Sequence, residues 1–134
     1  MKLNYLLFCD RADRTDEQKV ILHGIIDGVL LDQEPSESSP KTLGSIGIGY
    51  EVLDPALKEV SDVGLKITDP NGKELFQAPS QVKKMADDGT PIEKITGIGN
   101  LPLTLTQLGI YKLSLSIDGV IVGETELSVS LRKK

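Results

Sequence analysis

The chain holds one thiol and one imidazole, Cys9 and His23, and nucleophilic chemistry would have to start from that pair. A thiolate forms readily only beside a base or a positive charge, so Cys9 would need His23 within hydrogen-bond reach. Both lie in apolar runs of strand character, Leu3–Cys9 and Lys19–Ile26, and would approach each other if those runs pair. The ordinary outcome of such a pairing is a buried small thiol beside a strand histidine. Zinc lacks ligands, because one Cys and one His leave only carboxylates to complete a tetrahedral site. Calcium would take hard oxygens, and Asp10, Asp13 and Asp16 share one stretch while Asp69 and Asn71 share another. Their spacing matches no calcium motif, Arg11 and Arg14 sit among the acids and would pair with them, and the turn at Asp69 already accounts for that residue. Gly47-x-Gly49 and Gly97-x-Gly99 are not phosphate loops, since neither stands between a strand and a helix. No catalytic residue, metal site or cofactor is assigned.

The elements that must position these residues are strands. Tyr111, Leu113, Leu115 and Ile117 alternate with Lys112, Ser114 and Ser116, the period of a strand with one buried face. After Asp118-Gly119 the alternation resumes, with Ile121, Thr125, Leu127, Val129 and Leu131 facing one way and Glu124, Glu126, Ser128 and Ser130 the other. A two-residue Asp118-Gly119 turn would pair Ile117 with Val120 and set an apolar face against a charged one. A three-residue loop, Ile117-Asp118-Gly119, shifts the pairing by one and aligns both apolar faces, so the pattern favours that loop. A tight turn followed by a bulge at Gly123 would restore the same faces further along.

Earlier in the chain, Leu3–Cys9 reads as a first strand with Leu3, Tyr5, Leu7 and Cys9 on one face and Leu6 and Phe8 on the other. Apolar residues on both faces predict cover on both sides or a partner. Asp10–Gln18 reads as a charged connection, and Lys19–Ile26 as a second strand. Asp27-Gly28 marks a bend before Val29-Leu30-Leu31, and Asp32–Lys41, with its two prolines, is an exposed loop. Thr42–Val52 is a strand with Ile46, Ile48, Tyr50 and Val52 on one face and the bare Gly44, Gly47 and Gly49 elsewhere. Bare glycines in a strand mark tight packing against a neighbour, or a surface onto which something docks. Val63–Thr68 and Lys73–Gln77 flank a type I turn at Asp69-Pro70-Asn71-Gly72. Gln81–Met85 suits an edge strand or an irregular crossing. Gly97 and Gly99 mark a bend before the alternating Leu101, Leu103 and Leu105.

Seven to nine strands, turns every eight to twelve residues and no long helix predict an all-β fold, an immunoglobulin-like β-sandwich of mostly antiparallel strands. Gly109-Ile110-Tyr111 fits the entry to a penultimate strand in such domains, where a Tyr caps the corner. The length of 134 residues predicts one domain over residues 1–134. A formal charge of −5 argues against nucleic acid, because phosphate binding needs clustered Lys and Arg. The only such cluster is the terminal Arg132-Lys133-Lys134. A single cysteine excludes an internal disulfide. Leu6-Leu7-Phe8-Cys9 is too short an apolar run, with too bulky a Phe8, for a lipoprotein cleavage site, and no stretch approaches a membrane span. A cytoplasmic location is expected.

Two stretches carry a resemblance. LLFCD at Leu6–Asp10, a charged loop, and KVILHGIID at Lys19–Asp27 are similar to the opening of a family of small bacterial proteins of unknown function. DPNG at Asp69–Gly72 and GIYKLSLSIDG at Gly109–Gly119 also resemble that family's pattern. The resemblance implies a bacterial, cytoplasmic, sandwich-like domain with no established activity and supplies no functional residue. Asp10 and Gly24 read as structural, a side chain capping a strand end and a close packing point.

Function is expected to be a non-enzymatic protein–protein interaction or accessory module, with a protein partner or self-association as a homo-oligomer. Sandwich edges accept strands from partners, and Ile110, Val120 and Val122 would be apolar on an outer face. The alternatives are a sugar- or calcium-binding sandwich, weakened for sugar by three Tyr, two Phe and no Trp, and an enzyme using Cys9 and His23.

Overall fold

Alternating apolar and polar residues build nine strands and, among the described residues, no helix. The fold is that of a computed structural model in which residues 1–17 and 19–133 are described. Gln18 at the end of the expected charged connection, and Lys134 of the basic tail, lie outside them. The strands are β1 (Lys2–Arg14), β2 (Val20–Ile26), β3 (Gly28–Leu31), β4 (Lys41–Leu53), β5 (Val60–Thr68), β6 (Glu74–Lys83), β7 (Lys94–Leu105), β8 (Gly109–Ile117) and β9 (Val120–Leu131). One sheet has the order β2-β1-β4-β7 and the other β3-β9-β8-β5-β6. Neighbours run antiparallel except β3 and β9, which are parallel. No helix among the described residues is long and apolar enough to cross a membrane.

One apolar core joins the sheets. Phe8, Ile46, Ile48 and Val52 come from the first and Ile67, Leu113, Leu115 and Leu127 from the second, none more than 1% exposed. Burying each such side chain is worth roughly 1.5–3 kcal/mol of transfer free energy, which sets the alternation that decides every register.

The β8–β9 hairpin departs from the expected three-residue loop. Asp118 and Gly119 have φ of 51° and 81°, and Ile117 pairs with Val120, so the turn is the two-residue kind that needs two left-handed residues. Asp tolerates that conformation, and here it is fixed from outside. Asp118 Oδ1 accepts from the Asp62 amide at 2.9 Å, and the Asp118 amide donates to the Asp62 carbonyl at 2.8 Å. Val122 is then the extra residue of a bulge, after which Leu115 pairs with Gly123, Leu113 with Thr125 and Tyr111 with Leu127. Leu3 of β1 packs onto Gly123, where a Cβ would collide with it.

Other expectations are also corrected. A register shift between Leu3 and Tyr5 turns Leu3 inward with Leu6 and Phe8, and leaves Tyr5, Leu7 and Cys9 on the opposite face. β1 does not stop at Cys9 but runs to Arg14, so the charged segment is mostly strand. Gly97 and Gly99 mark no bend; they pair with Tyr50 and Ile48 inside β7. β6 reaches Lys83 as an edge strand, a place where Pro79 is tolerated.

Candidate interaction surface

Beyond the Cys9–Gly47 pair β1 parts from β4, yet it stays paired with β2 as far as Arg14 and Val20. The two-stranded arm so formed crosses the outer face of β4 and β7. Its path runs over Gly47, where a Cβ would lie 2.6 Å from Cys9 Sγ and 2.9 Å from the Ala12 nitrogen. Leu22 lies over Gly49, its Cδ2 2.6 Å from where a Cβ would stand. Gly47 and Gly49 therefore have a cover, the chain's own arm, whereas nothing lies within 4 Å of a Cβ placed at Gly44. Asn100 of β7 replaces the strand partner that Ala12 has lost. Its Nδ2 donates to the Ala12 carbonyl at 2.8 Å and its Oδ1 accepts from the Ala12 amide at 2.9 Å. Arg14 Nη2 donates to the Thr96 carbonyl at 3.0 Å. Sequence reasoning missed Asn100, because its partner is 88 residues away and nothing local marks it.

The arm separates the two residues from which chemistry would start. Cys9 is fully buried against Gly47, and burial pushes its thiol pKa up, with the Asp10 charge adding to the rise and a hydrogen bond from the Arg11 backbone opposing it. A thiol held protonated in this way is the reverse of an activated nucleophile. His23 is on the solvent side, its Nε2 3.0 Å from Asp13 Oδ2 and 3.3 Å from Arg11 Nη2. Arg11 Nε lies 2.8 Å from the same carboxylate oxygen. At this exposure such pairs contribute no more than about 1 kcal/mol each.

Asp10, Asp13 and Asp69 have structural contacts. Asp10 folds over Gly24, whose φ of 62° and crowded Cβ position suit glycine, in line with the close packing expected at Gly24. Asp13 is taken by Arg11 and His23. Asp69 is buried, its Oδ1 accepting from the amides of Asn71 and Lys73, both at 2.9 Å, and its Oδ2 from Gln107 Nε2 at 3.4 Å. The described residues hold no group of three or more potential metal ligands. A surface depression of about 520 Å³ beside the Asp32–Lys41 loop is floored by Leu30, Leu31 and Pro35 and has no aromatic side chain on which a sugar could stack.

Among the described residues, five of the ten exposed large apolar side chains lie at one end of the sheets, and the other five, Ile21, Ile25, Leu30, Ile110 and Leu131, lie elsewhere. Val120 and Ile121 occupy the β8–β9 turn at 62% and 58% exposure. Val60 opens β5 next to that turn, Met85 follows β6, whose Lys83 pairs with Val60, and Met1 adjoins the Lys2–Leu53 pair; all three are exposed. The alternation predicts Ile121 facing inward, and the bulge at Val122 is what turns it out. Of the three residues expected to form an interface, only Val120 belongs to this end. Ile110 is exposed but pairs with Ser128 at the far end of β8, about 23 Å away at the rise of a strand. Val122 is half-buried and packs against the core.

The chain belongs to a family of unknown function, DUF6941, whose family model matches residues 4–130. No curated protein matches it.

Proposed function

We propose that this member of the family is a non-enzymatic interaction or accessory module built on an immunoglobulin-like β-sandwich. The sandwich reading is supported by connectivity. β4 pairs with β7 in one sheet while β5, β8 and β9 pair in the other, β3 lies parallel on β9, and β1 is inserted between β2 and β4. Tyr111, near the start of the penultimate strand, bonds back to the Gln107 carbonyl, the corner found in such domains. A fold of this kind hosts many functions, so the function must rest on a surface.

The observation that carries the reading is the cluster of Met1, Val60, Met85, Val120 and Ile121 around one end, since exposed apolar clusters mark interfaces. The partner is a second copy or another protein; a net charge of −5 disfavours nucleic acid. A cytoplasmic setting goes with the proposal and is supported by a free, buried thiol. Light scattering over a range of concentrations at two salt levels tests it. An oligomer that Val120→Lys converts to monomer supports the tip as the contact. An oligomer of unchanged mass in that variant removes it. If the chain is a monomer, pull-downs with wild type and Val120→Lys that capture the same partners equally well remove it too.

A further inference from the structure

Up to Cys9, β1 is held in its sheet by a ladder to β4; from Asp10 to Arg14 that ladder is gone. What fastens the arm to β4 and β7 is the Asn100 carboxamide on Ala12, the Arg14 guanidinium on the Thr96 carbonyl, and Leu22 resting on Gly49. Arg11, Asp13 and His23 point to solvent and add nothing to that attachment. A unit fastened by three hydrogen bonds and two apolar side chains, Leu22 and the buried Ala12, opens at a lower free energy than the whole fold.

The face beneath the arm is shaped to the strand it holds. Gly47 lets the Arg11–Ala12 backbone approach more closely than any side chain would allow, and Gly49 leaves room for a branched apolar side chain. Asn100 presents one donor and one acceptor to the two polar groups of a single residue, as a neighbouring strand would. We propose that the arm is a strap that lifts as a unit from the outer face of β4 and β7 at Gly47, Gly49 and Asn100 while the two sheets stay folded. The inference goes beyond the reading of the β8–β9 end and does not depend on it.

Cys9 reports the opening, because it is the only thiol, it is fully buried, and it lies against Gly47 beneath the crossing. The native full-length chain is reacted with Ellman's reagent at urea concentrations below the unfolding transition. Lifting of the arm gives a labelling rate well above the one set by global unfolding, with a shallow dependence on urea. Asn100→Ala raises that rate about tenfold or more, the scale expected for losing two backbone bonds. Leu127→Ala, which weakens the core away from the arm, lowers global stability and leaves the low-urea labelling rate where it was. A wild-type rate that follows global unfolding at every urea concentration, and rises in both variants only as far as their unfolding equilibria shift, overturns the proposal.

Discussion

The Tyr111 hydroxyl donates to the Gln107 carbonyl at 2.8 Å and accepts from the Gln107 amide at 3.3 Å, closing the entry to β8 with a fully buried side chain. The ring fills the core, and the hydroxyl satisfies both polar groups of one turn residue. Tyr111→Phe keeps the ring and removes the oxygen, leaving those groups short of a partner. The expected cost is about 1–3 kcal/mol, read as a lower urea midpoint with an unchanged slope. An unchanged midpoint would show that the turn stands without the hydroxyl.

Two glycines of β4 should respond oppositely to the same substitution. At Gly47 an added Cβ would lie 2.6 Å from Cys9 Sγ, 2.9 Å from the Ala12 nitrogen and 3.0 Å from the Arg11 carbonyl carbon, and backbone cannot give way as a flexible side chain can. Gly47→Ala is expected to cost about 1–3 kcal/mol and to loosen the arm. At Gly44 nothing lies within 4 Å, so Gly44→Ala should be neutral or stabilising by up to about 1 kcal/mol through lower chain entropy in the unfolded state. Equal urea midpoints for the two variants would mean that the crossing is not tight.

These residues also show how much of the fold was legible. Alternation in Tyr111–Ile117 and Leu127–Leu131 reports which face is buried, because apolar burial is the largest local term, and the final hairpin follows from it. Alternation allows a bulge near Gly123 but does not locate it, so by itself it points Val122 outward and Ile121 inward. Charge misled at Asp10–Arg14: an exposed arm carries charged residues on its solvent face as a loop does, and its buried face shows only as Ala12. Gly47 and Gly49 were rightly read as a close approach, but the approaching segment is fixed by a carboxamide far along the chain, which no local pattern encodes. The exposed end at Val60, Met85 and Val120 is equally non-local, since it is assembled by register across three strands.

The acid limb of stability should carry a contribution from the hairpin tip. The Asp62 amide and the Ser61 hydroxyl both donate to Asp118 and hold its carboxyl below the usual carboxylate range. A depressed folded pKa means that the unfolded state binds protons more readily. The stabilisation is therefore fully present above the unfolded pKa, near 4, and is lost as pH falls through the folded value. Asp118→Asn keeps a residue that tolerates φ of 51° and retains an acceptor without the charge. Its urea midpoint should fall less steeply than that of wild type below about pH 4. Parallel curves for the two proteins would assign the acid limb to other carboxylates.

Val120 and Val122 separate a surface from a core effect at nearly the same place. Val120 is 62% exposed on the turn, whereas Val122 is half-buried and packs against the core beside the bulge. Val120→Lys should leave the urea midpoint within about 0.5 kcal/mol of wild type, the range for surface changes, so a change in its solution mass or binding would report a lost contact. Val122→Lys should cost about 1–3 kcal/mol, because it forces a charged side chain toward apolar neighbours. A loss of binding in that variant would be confounded by its fold. If Val120→Lys proved the more destabilising of the two, the exposed end would be part of the folding core rather than a surface free to receive a partner.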